Sequence, residues 1–145
     1  MRLNVQTDYA LRLLMHLAVN DTELSTIADI AERYRISKNH LMKVAHVLGK
    51  NDIIETIRGR AGGLRLAVSA DEIVIGDIVR LMEADLALVE CFQSGDECLI
   101  TPACRLKGVL GEALDAFLAV LDQYTLEQLV QRNRKLTNLL STEAA

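Results

Sequence analysis

The residues with the most reactive chemistry are Cys91, Cys98 and Cys104. They are spaced C-x6-C-x5-C within fourteen residues of a 145-residue chain that has no other cysteine. An odd thiol count without a secretion leader argues for a reducing compartment rather than a disulfide scaffold. Ser94 and Gly95 make the first interval a loop able to fold back on itself. Thr101-Pro102 reads as an N-cap followed by proline at the first helical position, opening a long helix. Cys104 is then expected in the first helical turn, where free N–H groups and the helix dipole favour a thiolate. Three soft ligands on a loop and a helix start suit an iron–sulfur cluster or zinc. Either needs a fourth ligand, and Glu90, Asp96 and Glu97 are the carboxylates nearest in the chain.

The elements that must position these thiols belong to an aliphatic, mainly helical protein. Half of the residues are apolar but only 3% are aromatic. No uncharged apolar run is long enough to span a bilayer, and no signal peptide is legible, so a cytoplasmic protein with no membrane segment is expected. The net charge of −4 conceals an asymmetry. Between Arg35 and Arg65, seven basic residues face Asp52 and Glu55, a local +5 that leaves −9 for the remainder. A basic patch on an acidic chain points to nucleic acid.

Residues 4–19 carry apolar side chains at helical spacing, with Asn4 or Thr7 able to cap the start and Asp8 and Arg12 four apart on the polar side. A second helix over 26–34 and a third over 38–50 flank the turn Arg35-Ile36-Ser37, with Ser37 as cap. Inward Ile36, Leu41, Val44 and Leu48 complete a helix-turn-helix pattern, although Arg35 stands where glycine is common. Ser37, Lys38, Asn39, His40 and Lys43 form the opposite face, suited to a DNA major groove. Residues 53–57 and 64–68 alternate like strands. The glycine-rich turn between them presents Arg58 and Arg60, with Arg65 on the second strand: a cationic wing for a DNA backbone. A strand after the glycines, rather than a helix, argues against a nucleotide-phosphate loop.

Ser69 and Glu72 resemble a capping box on a short turn, and Gly76-Asp77 opens a helix to about residue 84. An unbroken helix is expected over 102–124. Its apolar side, including Leu110, Phe117 and Tyr124, exceeds what one small domain hides and predicts a homodimer. Thr125 and Gln128 form a second capping box before one last helix. The fold class is mainly α with a small β-hairpin wing: a winged helix-turn-helix plus a long dimerisation helix. Three segments follow: a DNA-binding domain over 1–84, a cluster-binding loop over 85–104, and dimerisation and C-terminal helices over 102–140. The three histidines have no matching acid and nucleophile pattern, which argues against an enzyme, and His16 beside an apolar stripe reads as a packing residue.

The stretches TDYALRLLMHLA, ISKNHLMKV, RGRAGGLRL and CLITPACRLK together resemble NsrR-type nitric-oxide-sensing repressors, members of the iron–sulfur winged-helix (IscR-like) regulator family. The resemblance runs collinearly over about residues 1–140. It implies a homodimer on a palindromic double-stranded DNA operator, nitric oxide as signal, and a cluster held by Cys91, Cys98 and Cys104, with 4Fe–4S favoured and 2Fe–2S the alternative. IscR-type members take a histidine three residues after the last cysteine as fourth ligand, where this chain has Lys107. NsrR-type members have an aspartate on the first helix, matching Asp8, beside an arginine matching Arg12, the expected switch partner. The resemblance thus implies Asp8 as fourth ligand, reaching across the dimer. The first cysteine interval is one residue longer than in relatives. Two other readings stand beside this one: an iron- or redox-sensing cluster regulator with different target genes, and a zinc or electron-transfer module, which leaves the wing unexplained.

Overall fold

Helix α1 (Val5–Val19) starts where the Asn4 side chain accepts the N–H of Gln6 at 2.9 Å. Its inward stripe, Ala10, Leu13, Leu14 and Leu17, is fully buried, and the helix packs against four others. A computed structural model of the chain describes residues 2–93, 95 and 98–142.

Helices α2 (Ile27–Tyr34) and α3 (Lys38–Lys50) meet at the expected turn. Arg35 takes the left-handed conformation there (φ 54°), and its N–H bonds back to Ala31 and Glu32. Ile36 N–H donates to the Ala31 carbonyl at 2.9 Å and drives its side chain inward. An arginine thus does the work of the usual glycine, at a cost of about 1–2 kcal/mol. Ser37 occupies the N-cap position but its hydroxyl makes no capping bond, contrary to expectation; only its carbonyl engages the helix, accepting from Leu41 N–H at 3.1 Å.

Strands β1 (Ile54–Ile57) and β2 (Gly63–Leu66) pair antiparallel in the register Ile54–Leu66 to Ile57–Gly63. They are shorter than the sequence pattern suggested, because Ala67 N–H still reaches the Ile53 carbonyl but the ladder ends there. Ser25 bonds Leu64 in both directions, at 3.1 and 2.7 Å, so the segment before α2 braces the wing. The turn needs its glycines: a Cβ on Gly62 would sit 2.2 Å from the Ile57 carbonyl oxygen, and Gly59 has φ 118°.

Helix α4 (Ile75–Met82) packs against α1. The long helix expected over 102–124 is divided. A single 3₁₀ turn, Thr101–Ala103, contains Pro102, and the backbone becomes extended at Cys104 before α5 (Arg105–Leu121) begins. Cys104 is therefore the N-cap residue of α5, not part of its first turn. At the other end Tyr124 leaves the helix because its carbonyl accepts from Ile75 N–H at 2.9 Å. The expected last helix is also two: α6 (Leu126–Val130), started by the Thr125–Gln128 capping box, and α7 (Arg134–Leu140). Arg132 at φ 56° and the Asn133 cap separate them.

Leu126 and Leu140 are buried, so the chain after α5 returns to the winged-helix body instead of continuing a separate arm. Asn20 donates to the Leu140 carbonyl at 2.9 Å and Arg33 to that of Leu139 at 2.7 Å, fixing α7 across α1 and α2. By contrast α5 buries none of its residues. No helix among the described residues is long and apolar enough to cross a membrane.

Candidate DNA-reading face and cysteine loop

Helix α3 divides cleanly. Leu41, Val44 and Leu48 are fully buried, while Lys38, Asn39, His40 and Lys43 are exposed on the other side. Met42 and His46 share that exposed face; Met42 was missed in the sequence, although its spacing of three residues from Asn39 places it there. At the wing tip Arg58 and Arg60 are exposed and join no ion pair among the described residues. Arg65 differs from them: its cross-strand neighbour Glu55 answers its charge directly.

Helix α1 touches this face from behind. The Tyr9 ring lies 6.2 Å from the His40 ring, centroid to centroid. The Tyr34 hydroxyl of α2 donates to the Arg12 carbonyl at 3.0 Å. Burial pushes the Tyr34 phenol up to about 12, against the opposing pull of Arg12 and Arg33. One turn along, His16 is completely buried edge-on to Tyr34, and neither ring nitrogen has a hydrogen-bond partner among the described residues. Desolvation, reinforced by the Arg33 charge and partly offset by Asp29, pushes its pKa down to about 4. His16 is a neutral packing residue, as expected.

Asp8 and Arg12 form a forked pair on the outer side of α1, at 2.7 Å (Oδ2 to Nη2) and 3.1 Å (Nε to Oδ1). Both side chains are about half exposed. The start of α1 is clasped by Glu83, which accepts Asn4 N–H at 2.7 Å and also the hydroxyl of buried Thr7. Glu83 caps the end of α4 and opens the segment leading to the cysteines. Sequence reasoning missed this clasp, since nothing local joins residues so far apart in the chain.

Cys91 lies in a 3₁₀ turn (Glu90–Phe92), half-buried; Cys98 is exposed; Cys104 is half-buried at the cap of α5. All three are thiols. Asp85 closes the approach by accepting from Ala87 N–H at 2.7 Å and from the Gln93 amide at 2.6 Å. Phe92 rests against Gly111, setting the first turn of the loop on α5. Ser94, Asp96 and Glu97 lie outside the described residues, and with them two of the carboxylate candidates. Among the described residues no three His, Cys, Asp or Glu side chains are gathered closely enough to hold a metal ion. The donor chemistry nevertheless fits an iron–sulfur group. Three thiols bracket one loop, and the Cys104 side chain makes no capping bond that would occupy its sulfur at the positive end of α5.

The Rrf2 family, described as iron-dependent transcriptional regulators, matches residues 3–132. An HTH-type transcriptional regulator NsrR from Shouchella clausii (strain KSM-K16) is 53% identical over 97% of this chain and 95% of its own. Among solved structures, CymR, the global cysteine regulator of B. subtilis, superposes with a TM-score of 0.73 at 27% identity, covering 90% of this chain and 96% of that one. IscR from T. potens gives 0.72 at 25% identity over 90% and 87%. These likenesses match the winged helix-turn-helix described above, and they are to transcriptional regulators rather than enzymes. The chain belongs to the Rrf2 family of iron-dependent transcriptional regulators.

Proposed function

We propose that the chain is an iron–sulfur cluster-dependent transcriptional repressor, which binds palindromic DNA as a homodimer in the cytoplasm and releases it in response to nitric oxide. The observation that carries this is the double engagement of α1. Its outer side holds the Asp8–Arg12 pair, while Tyr9 and the Arg12 carbonyl touch α3 and α2. A change in what Asp8 binds is thereby linked to the helices that read DNA.

Cys91, Cys98 and Cys104 would hold the cluster, with Asp8 of a second copy as fourth ligand. When bound, such a group supplies an iron position at which a small molecule competes with a weakly held carboxylate. Arg12 offers Asp8 a defined second partner: the fork seen here, with Asp8 bound on its own helix. Glu83 and Thr7 hold the start of α1 in place, and Lys38, Asn39, His40, Lys43, Arg58 and Arg60 face the operator. Arg65 and Ser37 stand beside them, with Arg65 weakened by Glu55. Leu106, Val109 and Val120 on α5 are each more than half exposed, and this apolar side supports pairing with a second copy.

The test is anaerobic purification, a visible spectrum, and DNA binding before and after nitric oxide, alongside sedimentation. Brown, dimeric protein that loses operator affinity on exposure fits the reading. Colourless protein with full DNA affinity, or a strict monomer, rejects it. The family description and the likeness to IscR favour a second reading, an iron or redox sensor on the same fold. Insensitivity to nitric oxide combined with a response to iron depletion or oxidant would select it.

A further inference from the structure

Helix α3 carries one large apolar side chain on its solvent face. Met42 is 51% exposed, three residues after Asn39 and directly before Lys43, while the core is already filled by Leu41, Val44 and Leu48. Its covered half lines a groove with Ile27, Ala45 and Ile54, but the exposed half gains nothing from burial in the fold. The same part of the chain exposes four cations, Lys38 and Lys43 on the same helix and Arg58 and Arg60 on the wing. An apolar protein partner would not call for those positive charges, whereas a polyanion does. Duplex DNA is a polyanion whose major groove displays one kind of apolar group, the C5-methyl of thymine. An unbranched, polarizable thioether conforms readily to such a methyl.

We propose that Met42 is a specificity determinant that reads thymine by packing on its methyl group. The proposal rests on α3 being the recognition helix and names what one of its residues recognises. Asn39, one turn earlier on the same face, is placed to supply a hydrogen bond to a neighbouring base edge. Each half-site then requires a thymine opposite Met42, and it is the methyl rather than the base-pairing edge that is required.

The experiment selects duplexes from random-sequence DNA with the anaerobically purified protein. The selected duplex is then rebuilt with deoxyuridine at single thymine positions, which removes a methyl group and leaves the pairing edge intact. Affinities are measured for wild type, Met42→Ala and Met42→Leu, with thermal unfolding as a check that these half-exposed substitutions leave the fold unchanged. Wild type is expected to lose about fourfold at one thymine per half-site. In Met42→Ala that uracil effect vanishes while the affinity for the thymine duplex falls by a similar factor, and Met42→Leu restores much of both. No uracil effect in wild type, or the same effect in Met42→Ala, overturns the proposal while leaving α3 as the DNA-reading helix. Failure of wild type to select any duplex overturns both.

Discussion

Helices α1 and α5 are of similar length and similarly apolar, yet they treat their apolar residues in opposite ways. In the fifteen residues of α1, Ala10, Leu13, Leu14 and Leu17 are sealed within the protomer, and even Thr7 and His16 are buried. In the seventeen residues of α5 nothing is buried, and Leu110, Leu114 and Phe117 line an open groove of about 590 Å³ with Leu3, Leu86 and Leu88. Most helical stability comes from packing an amphipathic face, not from propensity. By that criterion α1 is complete in one chain, while α5 leaves an apolar side uncovered, the side on which the proposed homodimer would form. Cys104 caps the start of the incomplete helix, and Asp8 lies on the outside of the complete one. The proposed site therefore joins a rigid ligand to an unfinished one.

The largest expected effect tests that division at the thiols. Cys98→Ser should abolish a stable cluster, because no spare cysteine exists in the chain. The unfolding transition of the α1 core should stay unchanged, since Cys98 is exposed. Anaerobic iron content and the visible spectrum read the first part, and circular dichroism on denaturation the second. Full iron with a wild-type spectrum would remove Cys98 from the ligand set.

Next comes a contrast in packing. Leu13→Ala, at a fully buried site, should cost about 2–5 kcal/mol in denaturant unfolding. Leu106→Ala on α5 should stay within about 0.5 kcal/mol in the monomer, because its side chain is 61% exposed, and should act instead on dimer dissociation. If Leu106→Ala destabilised the monomer as much as Leu13→Ala, α5 would belong to the core.

Much of this was legible in the sequence, and the misses have physical causes. The helix-turn-helix and wing could be read because period, caps and glycines act locally: Ile36 plugs its turn and Gly62 has no room for a side chain. The division of 102–124 was not legible, because the apolar period continues through Tyr124. What ends the helix is a long-range bond from Ile75 to the Tyr124 carbonyl. The same holds for the return of α6 and α7 onto α1, and for the clasp of Glu83 on Thr7. Asp8 was singled out by resemblance. The structure shows the Asp8–Arg12 pair expected from their spacing of four and adds the contact of the neighbouring Tyr9 with His40.

A third prediction probes the sealed region through pH. The folded-state pKa of His16, about 4, lies below the ordinary imidazole value of 6.5 that holds in the unfolded chain. Above pH 6.5 both states are neutral and the residue contributes no pH dependence. Between pH 6.5 and 4 the unfolded chain takes up a proton that the buried ring does not, so stability falls as pH falls. The loss should reach about 3 kcal/mol at the bottom of that window. Denaturant melts from pH 7 to 4 read it, and His16→Leu should flatten that part of the profile. An unchanged slope in His16→Leu would assign the acid sensitivity to other groups.

The smallest effect separates two arginines that look equivalent in sequence. Arg60 is exposed at the wing tip without an ion-pair partner among the described residues, whereas Arg65 is held against Glu55. A cation that neutralises a DNA phosphate releases about one counterion, so Arg60→Ala should lower the slope of log affinity against log salt by about one and weaken all duplexes alike. Arg65→Ala should change the slope less, because its positive charge is already balanced by a carboxylate one strand away. Glu55→Gln adds a sharper arm: it frees Arg65 and should strengthen binding at low salt, an increase that vanishes in the Glu55→Gln, Arg65→Ala double variant. Equal slopes for Arg60→Ala and Arg65→Ala would mean that the Glu55 pair opens on DNA and that both strands of the wing grip the backbone.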